Sequence, residues 1–301
     1  MELGALVDCL GTPACVIAQT VGGLKIGMLM FLVASGLTLI FGVLGVINFA
    51  HGTLYMFGAY FAYSAMAATR NFAAAVAAGA LGTAVVGLLF ERLLISRVYK
   101  ADVLMQLLVC YAFILIMDDV VLIIWGEEFL SSIGVPEAFQ VPPLVLAGAI
   151  VPTFHLFLIG ASAAVAAAMW LIMARTRFGK IVRAAAVNPQ MVGALGINTR
   201  LLFAGVFALG AMLAGLGGAL AASERSLSSG MGFAVVIESF IVTVIGGMGS
   251  IAGALVAAVL IGLARSFGAI GFPLFTDGLM FLFMGLVLVL RPRGLFGRPE
   301  A

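Results

Sequence analysis

Charge is the scarcest thing in this sequence: Asp, Glu, Lys and Arg make up 9% of its 301 residues. A soluble domain carries about 25%, so a water-soluble globular enzyme is excluded. No G-x-x-x-x-G-K-[ST] stretch exists. Gly179-Lys180 is followed by Ile181, and Ala174 stands where the first glycine is needed, so the chain is not expected to hydrolyse ATP. There is no H-E-x-x-H, and His51 has no companion at ligand spacing, so no metal site is expected. The lack of G-x-S-x-G removes the commonest hydrolase nucleophile, and no enzymatic activity is expected. The net charge of +2, without a basic cluster outside short loops, gives no reason for a nucleic-acid partner.

Cysteine is scarce too, at three residues. Cys9 and Cys15 flank a short turn and have two readings: a pair joined in an oxidising compartment, or two small residues at a membrane edge. Cys110 reads as a small buried hydrophobe. The first nineteen residues hold Glu2 and Asp8 but no base, unlike the basic opening of a signal peptide.

What the sequence has is apolar length. It is 64% hydrophobic, with a mean hydropathy of +1.25. A helical span needs roughly 20 apolar residues, and in lipid each helix must satisfy its own backbone. The expected fold is all-α: one polytopic helical membrane domain over residues 1–301, with eight or nine segments, some of them broken or re-entrant. Two spans are expected between Ile26 and Thr69, interrupted at INFAHG (47–52), where Asn48, His51 and Tyr55 at i, i+3 and i+7 would share a helical face. Further spans are expected near Phe72–Phe90, Val103–Ile124, Pro152–Ala174, Leu201–Ala222 and Asp277–Leu290.

Basic residues mark the inner side. They lie in Glu91–Asp102, in the acid-free segment Arg175–Arg200 and in the tail with Arg291, Arg293 and Arg298. An Ala-rich middle gives the 175–200 loop one or two surface helices, read either as a topology signal or as a docking element. Asp118 and Asp119 either reach the interface or pair with a base on a neighbouring helix. His155 is expected to cap a helix or face solvent. Ala211, Gly215 and Ala219 form a small-residue stripe for close helix packing.

Parity sharpens the picture. The 175–200 loop and the tail are both inside, so an even number of crossings separates them. After the sixth and last spans, residues 232–267 must therefore leave and return. About 36 residues are short of the roughly 40 that two full spans need, so a hairpin of two short helices broken at IGGMGS (245–250) is expected. Within it Glu238 is the acid least easily assigned to an interface. Nine segments put the N-terminus outside.

Six stretches, GLTLIFGVLGVINFAHGTLYMFGAY (36–60), ERLLISRVYKADVLMQLL (91–108), the acid pair with Trp125-Gly126, RTRFGKIVRAAAVNPQMVGALGIN (175–198), IESFIVTVIGGMGSIAGAL (237–255) and the RPRGLFG tail (291–297), together resemble the permeases of branched-chain amino acid ABC transporters. The compact length is similar to the H-type branch. Two departures stand out, LVCYAF (108–113) and Lys25 within the first span. The resemblance implies a bacterial inner-membrane subunit paired with a second, M-type permease, two cytoplasmic ATPases that bind the ATP, and a periplasmic or extracellular substrate-binding protein. This chain would itself hold no cofactor. It also implies a coupling surface at Gly179, Arg183, Ala184, Ala185, Asn188, Pro189 and Gly196. The implied pathway is lined by Asn48, His51, Tyr55, Glu238, Ser239, Thr243, Gly246, Gly247, Gly249 and Ser250. Branched-chain amino acids lead as solute; urea or short amides, and a passive channel, are the alternatives.

Overall fold

The computed structural model describes residues 3–297; Glu2 and Arg298, named above, lie outside that range. The chain opens with α1 (Leu3–Gly11), linked through the Cys9–Cys15 disulfide (Cα–Cα 5.2 Å) to α2 (Pro13–Leu44). Then come α3 (His51–Thr69), α4 (Phe72–Phe90), a π turn (Glu91–Ile95) with a closing turn α5 (Ser96–Val98), and α6 (Val103–Trp125). After a two-stranded hairpin, β1 (Leu144–Leu146) with β2 (Ala149–Val151), follow α7 (Thr153–Arg175), α8 (Arg177–Val187), α9 (Pro189–Ala194) and α10 (Thr199–Ala221). The chain closes with α11 (Met231–Gly246), α12 (Ile251–Gly271) and α13 (Thr276–Leu290).

Among the described residues, seven helical segments are long and apolar enough to cross a bilayer. With α3 and α11 the described bundle has nine segments, the higher of the two expected numbers. Sequence boundaries hold well for α4, α6, α7 and α10, and fail in three places. First, α2 starts at Pro13, well before Ile26. Second, the inner segment after α4 is not a free loop: Glu91 is buried, and the helix continues through the π turn. Tyr99 Oη donates to Glu91 Oε1 at 2.5 Å, giving the buried carboxylate a partner and making continuation cheaper than exposure. Third, α12 is not short. Its 21 residues run past Phe267 to Gly271.

All three basic segments gather at one end. The 91–100 segment shares a recess with Asn198, Arg200 and Phe203, while α8 and the tail residue Phe296 share another with the 248–252 turn. That end is the inner one. At the opposite end Leu130 and Leu227 exchange backbone hydrogen bonds of 3.0 and 2.9 Å, and β2 packs on α2.

Close helix approach holds the bundle together. A Cβ added to Gly79 would strike Ala219, one on Gly215 would strike Thr83, and one on Gly87 would strike Ala211. The small stripe on α10 thus meets a matching stripe on α4. Without a hydrophobic gain between helices in lipid, such backbone-level contact supplies the packing.

Candidate functional site

The chain does not simply turn over between α2 and α3. Gly45, at φ +68, ends α2 by donating its N–H to Phe41. The chain then runs back into the bundle, and His51 Nε2 donates to the Val33 carbonyl at 2.9 Å. Val33 lies eleven residues before the end of α2, about 16 Å along a helix axis. So α3 begins deep, and a Cβ on its Gly52 would strike Gly232, near the start of α11. Asn48 is not on the helix. It sits in the re-entrant segment, where its Oδ1 accepts the Ala50 N–H at 3.1 Å, so the shared face expected for Asn48, His51 and Tyr55 holds for His51 and Tyr55 only. Asn48 and His51 are fully buried. They seal the re-entrant segment against its neighbours and line neither of the two cavities described below.

Two cavities lie at opposite ends of α2 and α11. The outer one, about 300 Å³, is lined by Lys25, Leu29, Met30, Val33, Tyr55, Glu224, Arg225 and Glu238, among others. The inner one, about 510 Å³, lies between the end of α2 (Thr38, Gly42), α8 (Arg183, Ala186), the Met248–Ser250 turn and Phe296. Between them the bundle is closed. Thr38 and Thr243 hydroxyls meet at 3.1 Å, and Thr243 also donates to the Ser239 carbonyl at 2.8 Å. Ser239 donates to Val235 at 2.7 Å. Ser239 and Thr243 therefore spend their hydroxyl protons on backbone carbonyls of their own helix, and the Thr243 hydroxyl also meets that of Thr38. Of the ten expected pathway positions, Tyr55 and Glu238 face the outer cavity and Gly249 and Ser250 the inner one; Gly246 and Gly247 pack against backbone.

The IGGMGS break is present where parity requires it. Gly247 (φ +97) and Gly249 (φ +87) hold conformations open to glycine. Ser250 Oγ caps α12 by accepting the Gly253 N–H at 3.1 Å. The tail adds itself to this turn: Leu295 N–H donates to Ile245 at 2.8 Å and Phe296 N–H to Gly246 at 3.1 Å. These bonds satisfy carbonyls that the end of α11 would otherwise leave bare.

The 175–200 segment forms α8 and α9, capped by Thr176 and Asn188 side chains, which accept from Gly179 N at 3.1 Å and Met191 N at 2.9 Å. Gly179, Val182 and Ala185 form the buried face of α8. Gly179 lies against the carbonyls of Ile172 and Met173, so only glycine fits there. Gly179 and Ala185 thus cannot belong to an outward docking surface; they seat α8 on the bundle. Arg183, Ala184, Asn188, Pro189 and Gly196 are exposed, and Arg183 also donates to the Met173 carbonyl.

Sequence reasoning missed the outer charge cluster. Lys25 Nζ stands 2.7 Å from Glu224 Oε2, and His155 Nε2 stands 3.0 Å from Glu224 Oε1, so His155 neither caps a helix nor simply faces solvent. Burial pushes the Glu224 carboxyl up, but hydrogen bonds and charge from His155 and Lys25 outweigh it and hold the group at about 2. Lys25 was the available signal, because a cation within a span requires a partner. Arg265 was missed as well: its Nη1 lies 2.6 Å from Glu238 Oε1. Asp118 and Asp119 form no ion pair among the described residues, and Asp118 Oδ1 is buried without a hydrogen bond.

A family model described as branched-chain amino acid transport system / permease component matches residues 19–290. The chain is 31% identical over 294 residues to the high-affinity branched-chain amino acid transport system permease protein BraD of Pseudomonas aeruginosa. It is 28% identical over 303 residues to LivH, of the same description, from Escherichia coli K12. Each alignment covers 94% of this chain and 96% of the relative. No solved structure matches it significantly.

Proposed function

We propose a function from the premise that this chain belongs to the branched-chain amino acid transport permease family: it is the H-type permease subunit of an ATP-driven importer of branched-chain amino acids in the inner membrane. The match over nearly the whole chain carries this reading. The expected partners are a second, M-type permease, two cytoplasmic ATPases that bind and hydrolyse ATP, and a substrate-binding protein that delivers solute to the outer face. This chain supplies half of the pathway.

The mechanism follows from what touches what. The exposed face of α8 and α9 receives the ATPase, with Arg183, Ala184, Asn188, Pro189 and Gly196 as the docking surface. Gly179 and Ala185 fix α8 to α7 behind that surface, so a push on α8 reaches the bundle rather than being lost in a loop. Arg183 also borders the inner cavity beside Gly42 and Gly249. Movement of α8 therefore bears on the end of α2 and on the α11–α12 turn together. Alternating access then consists of opening the Thr38–Thr243 closure toward the inner cavity while the outer cavity shuts, a two-state change biased by the ATPases.

Purification through a tag on this chain, followed by mass identification of its companions, tests the assembly. The expected result is a second permease and an ATPase in fixed ratio. A chain isolated alone from cells that express all subunits would contradict it.

A further inference from the structure

We propose that the outer cavity is a binding site for the zwitterionic head of an apolar amino acid, with Arg225 and Tyr55 receiving its carboxylate and Glu238 its ammonium. The proposal rests on the transport reading above and adds where in this chain the solute is held.

The charges decide it. Two cations and two carboxylates line the cavity. Lys25 and Glu224 are committed: both Glu224 oxygens are taken, by Lys25 and by His155. That leaves Arg225, which has no ion pair among the described residues. It also leaves one oxygen of Glu238, since Arg265 occupies Oε1 and among the described residues Oε2 accepts no hydrogen bond. Tyr55 lies within electrostatic reach of both Arg225 and Glu238. It is 5% exposed, lines the cavity, and its hydroxyl has no hydrogen-bond partner among the described residues.

One free cation, one half-free carboxylate and a neutral hydroxyl near both suit a ligand that carries one charge of each sign close together. A ligand that carries both charges engages the exposed Arg225 and the part-buried Glu238 together, which a ligand with one charge cannot do. The rest of the lining is apolar, with Leu29, Met30 and Val33 on one wall of α2. That wall is the place for an aliphatic side chain; a small polar amide would leave it unfilled. The cavity opens at the end where a binding protein delivers, and the Thr38–Thr243 closure lies beneath it.

The test uses the whole transporter, purified through this chain in lipid nanodiscs without nucleotide or binding protein. Titration compares leucine with leucinol, which lacks the carboxylate, and 4-methylpentanoate, which lacks the amine. Wild type is expected to bind leucine about ten-fold or more tightly than either, since each analogue forfeits a charge-assisted hydrogen bond. Arg225→Gln is expected to lose the preference over leucinol while keeping that over 4-methylpentanoate. Leu29→Phe, which crowds the cavity from a part-buried position without touching a charge, should weaken leucine binding with the complex still assembled. Unchanged discrimination in Arg225→Gln overturns the proposal. So does the absence of leucine binding in a preparation that imports leucine once ATP and loaded binding protein are added, an outcome that leaves the transport reading intact. Failure of that import in wild type overturns the transport reading, and the site falls with it.

Discussion

Arg265 Nη1 stands 2.6 Å from Glu238 Oε1 and joins α12 to α11 far from the turn that connects them. The hairpin is therefore fixed at two levels, by this ion pair toward the outer side and by the tail's hydrogen bonds to Ile245 and Gly246 at the inner side. Between the two levels Thr243 meets Thr38 of α2. An element held at both ends and in contact with α2 in the middle can transmit movement of the inner turn to the outer cavity as a unit.

The turn glycines make a graded prediction. Gly247, Gly249 and Gly230 all have positive φ. A side chain at Gly230 meets nothing within 4 Å, whereas one at Gly247 would strike the backbone of Gly297 and one at Gly249 lies 3.3 Å from Gly42 Cα. Gly230→Ala is expected to cost about 1 kcal/mol through backbone strain alone. Gly247→Leu should cost several times more, because strain and overpacking add. Folded yield and uptake after matched expression check the order; equal losses at 230 and 247 would contradict the packed turn.

Docking gives a second prediction. Arg183→Glu reverses a charge on the exposed face of α8 and removes the bond to Met173. Membrane insertion is expected to persist while solute-stimulated ATP hydrolysis falls by an order of magnitude or more, the effect of burying a like charge at an interface. Ala185→Leu, by contrast, should reduce folded yield, because Ala185 lies on the buried face of α8.

The hairpin and the docking helices show how far a sequence carries. Parity of basic loops located the 245–250 break, and an acid-free, Ala-rich composition located α8 and α9, because both signals are local or countable. The re-entrant start of α3 was not legible: INFAHG marks a break between two apolar runs, and only the Val33–His51 contact shows that the chain dives back there. Which face of α8 points outward was equally hidden, since Gly179 and Arg183 carry the same sequence label of a basic loop. The Lys25–Glu224–His155 cluster joins residues up to 199 positions apart, and nothing short of the fold brings them together.

That cluster predicts a pH dependence. The Glu224 carboxyl is held at about 2, below its ordinary value of 4.5. A lowered folded value means that the stabilisation is present above about pH 4.5 and is lost as pH falls toward 2. Glu224→Gln should therefore melt earlier than wild type at pH 6, and the gap should close on acidification through that window. Melts followed by labelling of the buried Cys110 thiol, with samples quenched to neutral pH, read this directly. A gap that stays constant from pH 6 to pH 3 would contradict the ion-pair account.

The outer disulfide gives a chemical check. Cys9 and Cys15 are joined, with Cα atoms 5.2 Å apart, on the side where nine crossings place the N-terminus. Peptide mass mapping without reductant is expected to return a linked 9–15 peptide, and two alkylatable thiols at these positions would contradict it. Cys110 should remain unlabelled until the protein is unfolded.

The most direct test of the central claim is leucine uptake by the assembled transporter in proteoliposomes, with loaded binding protein on the outer side and ATP supplied only to the side that carries the 175–200 loop. The predicted result is accumulation against a gradient that requires ATP on that side and is abolished by Arg183→Glu. Equilibration of leucine without ATP, at the same rate in wild type and Arg183→Glu, would contradict it and make the chain a passive channel.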